Sequence, residues 1–468
     1  MTTQSLQGRR ILIFGIHNTV DWWRHLGLNM GWESSTVVTD LRGEGDISVV
    51  DDFYAEMQRL QRRPDPLFSL LTADEKRNVI ARCRTLRWLE PELAHTMVEA
   101  MAYALDRVLD RIAPRLVLSF PIDRYVKHVL KLLAARRGVP YLELTASVVP
   151  ELSMLLRDGR LASPLGEAAA YEIERQIATI TSPTFTPSYV PKKATYTRGK
   201  FVRTLGYYRA RALALKLKSL RQVDPLNIHF LDAQPTLGHK CRWRDIRIVG
   251  LSDPQWRAKV EAVPQAQRVL FGLQLFPEAS IDYWIANPAL LDHENLVVRA
   301  AKAFSDAGFV LMVKDHPLQF GFRQTEFIDR LRALKGAVIV PYEVSGNELM
   351  SLAGVNFTFT GTMGFQAALQ GIKSVVTDSY YSNDEDFIVF RSPEELDLLP
   401  QRVLNFDPAT QVLVQRQRRI IGQLLQGSFA GDFYSFKSFS HVKPTAGADT
   451  MALALGNQLD LLAAQGQI

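Results

Sequence analysis

The sequence predicts an α/β protein made of two Rossmann-like, doubly wound domains. Three observations carry this. A strand–helix–glycine–strand run occupies residues 116–145. A longer alternation of strands and helices occupies 268–377. Between them the composition changes: Lys192 to Arg221 holds ten Lys or Arg and no Asp or Glu, as a separate linking segment would. With 468 residues, 47% of them hydrophobic, there is chain enough for two or three domains with ordinary cores.

The first domain, expected over 1–190, opens with a strand from Arg10 to Phe14, an ILIF run followed by Gly15. Such a strand suits the β1 position of a Rossmann-like domain. The turn after it has no G-x-G-x-x-G, which weakens a dinucleotide reading. Residues 53–112 carry Leu and Ala at helical spacing, with many Arg. Leu116 to Phe120 (LVLSF) reads as a buried strand. Tyr125 to Arg137 reads as a helix, Gly138 as its C′ residue and Val139 to Thr145 as the next strand. This is a βαβ unit, and it argues for parallel pairing.

Residues 191–262 are expected as a basic helical linker. Leu213, Leu217 and Leu220 fall on one helical face, with Arg209, Arg211, Lys216 and Lys218 around them. In one reading the leucines pack on a domain, as amphipathic stripes usually do. In another the segment meets an anionic membrane surface. Nucleic acid is the third and weakest, because aromatic interleaving is slight and a net charge of +6 is modest for this length.

The second domain is expected over 263–405. Strand Arg268 to Leu273 leads into Gln274-Leu275-Phe276-Pro277-Glu278. A helix over Leu291 to Ala307 ends at Gly308, and Phe309 to Val313 is a strand. Then follow helix Thr325 to Leu334, strand Ala337 to Val340, helix Gly346 to Ala353, strand Asn356 to Thr360, helix Phe365 to Gln370 and strand Ser374 to Thr377. Residues 406–468 are expected as a helical tail, with helices at Gln411 to Leu425 and near Met451 to Ala463.

Two cysteines, Cys83 and Cys241, lie far apart and form no framework for a metal or disulfide, which fits a reducing compartment. Met1 to Gly8 lacks the apolar core of a signal peptide, and no apolar run approaches the roughly 20 residues that span a bilayer. The expectation is a cytoplasmic protein, peripheral at the inner face of the cell membrane if the basic segment binds there.

Three polar elements follow three strands of the second domain, so all three should open on one sheet edge. Thr360-Gly361-Thr362-Met363-Gly364 joins a strand to a helix. Its glycines would allow close approach and positive φ, and the helix start would offer N–H groups and a positive dipole end to a phosphate. The plain alternative is an ordinary βα turn capped by Thr. Lys314-Asp315-His316-Pro317 leaves the strand before it with a basic residue and a titratable one. Gln274 to Glu278 places Glu278 at the mouth of the first strand, where it would accept hydrogen bonds or merely complement a helix dipole.

The runs LFGLQLFPEAS, VLMVKDHP and TFTGTMGFQAALQG with IKSVV resemble the capsular-polysaccharide synthesis glycosyltransferases. That group includes Kdo transferases using CMP-Kdo and, more distantly, bacterial sialyltransferases. The resemblance covers about 268–378, and more faintly 115–160, where VPYLELTASVVP precedes the turn Arg157-Asp158-Gly159. It implies a GT-B fold, two Rossmann-like domains facing across a cleft. The second domain would bind the nucleotide donor through Gln274, Pro277, Glu278, Lys314, His316, Pro317, Thr360, Gly361, Thr362, Gly364 and Gln366. It departs from the family pattern at Phe276, which interposes in the Q-P-E-like element. It departs again at Gln366, where such helices often carry a ribose-contacting Glu.

By the same resemblance the first domain holds the acceptor and the catalytic carboxylate. Glu143 is favoured, with Asp123 the second candidate and Asp21 and His17 further ones. No D-x-D pair stands in a convincing loop, and Asn383-Asp384-Glu385-Asp386 looks like a solvated turn, so transfer is expected without a metal or other cofactor. The expected partners are a nucleotide-sugar, CMP-sugar first, and a glycan or glycolipid acceptor, with no nucleic acid. A sugar-nucleotide epimerase of related fold and a non-catalytic assembly partner remain the rival readings.

Overall fold

A computed structural model describes residues 10–468 apart from 17–18, 64–68, 165, 183–184, 186–194, 222–223, 225, 227–240, 408–411, 432 and 434–445. The chain divides into two compact units, Met1–Ala168 with Gln423–Ile468, and Ala169–Gly422. His17 and the start of the basic segment lie outside the described residues.

The first unit is built on strands β1 (Arg10–Gly15), β2 (Ser34–Thr39), β3 (Ile47–Ser48), β4 (Leu116–Ser119), β5 (Tyr141–Ala146), β6 (Leu152–Arg157) and β7 (Arg160–Leu161). Their sheet runs in the order β3, β2, β1, β4, β5, all parallel, and then β6, antiparallel to β5. Ile11, Leu12, Ile13 and Phe14 are fully buried, as expected of a central parallel strand covered on both faces. The Asp158-Gly159 turn joins β6 to β7 with both residues at positive φ, +54° and +72°, the twist that tight hairpins need. The helical stretch expected over 53–112 resolves into helices Val50–Arg62, Ala73–Arg82 and Pro91–Ile112. A Thr72/Glu75 capping box starts the second, and Pro91 occupies the first turn of the third.

The second unit carries β8 (Arg268–Gly272), β9 (Val310–Lys314), β10 (Ala337–Ile339), β11 (Val355–Phe357), β12 (Lys373–Thr377) and β13 (Ile388–Phe390). Every pairing is parallel, and the order is β10, β9, β8, β11, β12, β13. Counted within the unit this is 3-2-1-4-5-6, the doubly wound order whose direction of winding reverses between its first and fourth strands. The reversal therefore lies between β8 and β11. Phe271, Phe357, Phe359 and Phe390 stack through the sheet's core.

The segment expected as a separate tail is distributed between the units. Strand β14 (Ser428–Ala430) pairs antiparallel with β6 and extends the first sheet. Helix Leu413–Gln426 contains the division between units. Its Arg419 bonds both oxygens of the fully buried Asp386, at 2.6 and 2.9 Å. The acidic turn 383–386 is thus anchored through Asp386 and is not the fully solvated loop its composition suggests.

Candidate active site

Gln274 leaves β8 and Thr360 follows β11, on either side of the winding reversal. The Gln274 amide donates to Thr360 Oγ1 at 3.0 Å. Its carbonyl accepts from the backbone N–H of Phe359 at 3.0 Å and of Thr360 at 2.9 Å, and from Thr358 Oγ1 at 3.3 Å. Both residues are buried. Together they staple the sheet edge where the winding reverses.

The turn after Thr360 does not use positive φ, contrary to expectation. Gly361 sits at φ −68° as the N-cap residue of helix Thr362–Leu369. What both glycines supply is close approach. A Cβ on Gly361 would lie 2.7 Å from Thr358 Oγ1, and one on Gly364 would lie 2.6 Å from Val376 Cγ1. The N-cap residue, being glycine, brings no capping side chain of its own. The positive end of a helix start at a sheet edge favours an anion. Gln366 follows Thr362 by one turn on the same face. It is 7% exposed, and its amide makes no hydrogen bond to a described residue.

The loop after β9 is organised by residues the sequence did not single out. Arg323, 1% exposed, donates Nε and Nη2 to Asp315 Oδ1 at 3.2 and 3.0 Å, and Nη2 also to the backbone carbonyl of Gln274 at 2.9 Å. Tyr342, beyond β10, donates its hydroxyl to Asp315. One buried cluster thus ties together the loops after β8, β9 and β10. Asp315 also accepts from the His316 N–H at 2.9 Å. No short-range signal marks Arg323, and Asp315 was visible only as a neighbour of His316.

His316 caps the short turn Pro317–Gln319 by accepting the Leu318 N–H at Nδ1, 3.2 Å away. That fixes the tautomer: the proton sits on Nε2. Burial pushes its pKa down to about 4, against the opposing pull of Asp315. The group is therefore a neutral single donor near pH 7. Lys314 does not join it. Its ammonium donates to the carbonyls of Pro341 and Tyr342, at 3.2 and 2.7 Å, and burial lowers its pKa to about 8. The two side chains thus have separate partners within the unit.

Phe276, the residue interposed in the Q-P-E-like element, has a structural use. Its N–H and carbonyl pair with the side chain of Gln319 at 3.2 and 3.1 Å, and its ring lies 5.2 Å from that of His293. Pro277 follows through a cis bond. Glu278 is the N-cap residue of the short helix Ala279–Asp282 and accepts from Ser280 Oγ at 3.1 Å.

In the first unit, Asp123 and Glu143 gather around Lys127 at the carboxyl edge of the sheet. Lys127, fully buried, lies 3.0 Å from Asp123 Oδ1. Glu143, 2% exposed, pairs across the sheet with Ser119 and accepts the Ile122 N–H at 2.9 Å. Arg124 reaches back to Asp40 at 2.5 Å. Burial would raise the Asp123 carboxyl, but Lys127, Arg124 and Arg84 hold it well below the usual carboxylate range. Asp123 is thus a weak base. Asp21 is exposed and paired with Arg24 at 3.0 Å, and His17 lies outside the described residues. Among the described residues no cluster of three or more His, Cys, Asp or Glu is placed to hold a metal ion.

No protein-family model matches the chain, and neither does any curated protein. Solved structures do match. The beta Kdo 2,7 transferase of Thermosulfurimonas dismutans KpsC is 12% identical with a TM-score of 0.32, over 76% of this chain and 89% of that one. The beta Kdo 2,4 transferase of the same protein is 14% identical with a TM-score of 0.30, over 66% and 88%. UDP-GlcNAc 2-epimerase from Neisseria meningitidis, bound to UDP-GlcNAc, is 10% identical with a TM-score of 0.26, over 88% and 94%.

Proposed function

We propose that the chain is a glycosyltransferase that moves a sugar from a nucleotide donor to a surface-polysaccharide acceptor, its two units acting as the halves of a GT-B enzyme. The observation that carries this is the edge of the second sheet. At the winding reversal, the Gln274–Thr360 staple holds a helix start with a glycine N-cap beside the loops after β8 and β9, where doubly wound sheets bind nucleotides. A departing nucleotide phosphate would meet the first-turn N–H groups of helix Thr362–Leu369 and the Nε2–H of His316. Gln366, with no partner among the described residues, suits a ribose hydroxyl. The same donors would hold the leaving group without a metal. CMP-Kdo, or a related CMP-ulosonate, is the first donor on the strength of the sequence resemblance.

Acceptor activation is assigned to Glu143. Asp123, held ionised by Lys127, Arg124 and Arg84, has little affinity for the acceptor's proton.

Calorimetric titration with CMP, UDP and GDP, with and without EDTA, tests the reading. One nucleotide should bind, with affinity reduced in His316→Ala and unchanged by EDTA. Binding of none of the three would overturn it. Conversion of a UDP-sugar in the absence of any acceptor would make the chain an epimerase instead.

A further inference from the structure

We infer that helix Arg198–Ser219, with the turn Arg242-Trp243-Arg244, forms a docking surface for an anionic membrane. The helix has two distinct sides. Phe201 and Leu205, both fully buried, fix it to the core of the second unit. Val202, Leu213, Leu217 and Leu220 share a stripe about a quarter-turn round the helix from them. These four are 42%, 59%, 58% and 79% exposed. The leucines that a linker helix would pack on a domain face solvent instead.

Charge selects the partner. No acidic residue occurs from Lys192 to Arg221, and Arg203, Lys216, Lys218 and Arg221 are all exposed. The turn that begins the neighbouring element, Trp243–Gly250, packs on this helix and adds an exposed Trp243, 56% accessible, between exposed Arg242 and Arg244. A surface that is both anionic and able to take up leucine and indole side chains satisfies all of these residues together. A bilayer with acidic headgroups is such a surface, and Trp, Leu and Arg are the residues that sit at its boundary. Nucleic acid would meet the charges and leave the leucines in water. The contact would be peripheral: no helix among the described residues is long and apolar enough to cross a membrane.

The helix is also joined to the loop after β9. Tyr208 lies edge-on to Phe322 with ring centroids 5.2 Å apart, and the Lys200 ammonium lies 5.7 Å from the Phe320 ring. Docking would hold the loop that begins at His316 beside the membrane surface.

Vesicle flotation with the full chain tests the surface alone, so its outcome is separable from nucleotide titration. The chain should float with phosphatidylcholine vesicles containing phosphatidylglycerol and not with phosphatidylcholine alone, and added salt should release it. Lys216→Gln with Lys218→Gln should weaken partitioning about thirtyfold. Leu213→Ser with Leu217→Ser should abolish flotation at unchanged melting temperature, since both side chains are already exposed. Equal recovery from both kinds of vesicle, or flotation that survives the serine pair, would overturn the proposal. So would a dimer that the serine pair dissociates while vesicles capture nothing, or binding to RNA without binding to vesicles.

Discussion

Gln274 and Thr360 bond each other twice, side chain to side chain and carbonyl to backbone N–H, across the point where the second sheet reverses its winding. Gln274→Ala would leave the N–H groups of Phe359 and Thr360 buried and without a partner. The expected loss is about 2–4 kcal/mol of stability, together with nucleotide affinity. Urea unfolding and calorimetry measure the two. A variant of normal stability would show that the staple is not what holds the edge.

Arg323 holds the loops after β8 and β9 at once. Arg323→Met strands Asp315 as a buried carboxylate, and about 3–5 kcal/mol should be lost. Pairing it with Asp315→Asn should restore much of that loss, because the uncompensated charge is gone. Thermal melts of the two variants decide the point, and no recovery in the pair would refute the ion-pair account.

Glycine at 364 serves packing and not φ. Gly364→Ala drives a methyl to 2.6 Å from Val376 Cγ1, and the expected cost is about 1–3 kcal/mol. An accompanying Val376→Ala should relieve part of it. A double variant no more stable than Gly364→Ala alone would place the strain elsewhere.

Three histidines are held neutral by burial: His316 with a pKa of about 4, and His128 and His293 of about 3. Each would regain an ordinary value near 6.5 on unfolding. The unfolded state then binds more protons below pH 6.5, so the stabilisation is complete above that pH and is lost as pH falls towards 4 for His316 and towards 3 for His128 and His293. Each histidine contributes a slope of about 1.4 kcal/mol per pH unit. His293→Phe should flatten the acid side of a stability–pH profile, and an unchanged profile would contradict this. Nucleotide affinity should not rise between pH 8 and 6, since His316 does not become a cation there.

Asp123, its side chain 32% exposed, compensates the charge of the fully buried Lys127. Asp123→Asn should destabilise the first unit by about 3–5 kcal/mol, whereas Glu143→Gln should reduce turnover more than stability. Equal effects of both variants on melting would deny Glu143 a separate chemical role.

Much of this architecture was legible because its strands are buried on both faces and so read as continuous apolar runs. Strands β1, β4, β5, β8, β9 and β12 fall within one or two residues of expectation. Strand β2 was missed because SSTVVT starts with small polar residues on its exposed end, and β14 because three residues carry no period. The candidate site was legible as strings but not as geometry. Lys314, beside His316 in sequence, turns to the carbonyls after β10. Gln274 and Thr360, 86 residues apart, bond each other, while Arg323 and Tyr342, lying 7 and 26 residues beyond His316, supply the cluster that holds its loop. Contacts between separate loops leave no periodic trace in sequence.

Strand β14 pairs with β6, and Ser153 donates to the Gly431 carbonyl beside it. The ribosome must therefore deliver the whole of Ala169–Gly422 between the two partners. At about 5–20 residues per second this takes on the order of 10–50 s. Throughout that interval the nascent first unit presents β6 as an open edge, able to recruit any extended chain nearby. Chaperone demand during translation should therefore fall on residues 152–157, and a stop after Gly422 should leave a product whose first unit aggregates although its second is complete.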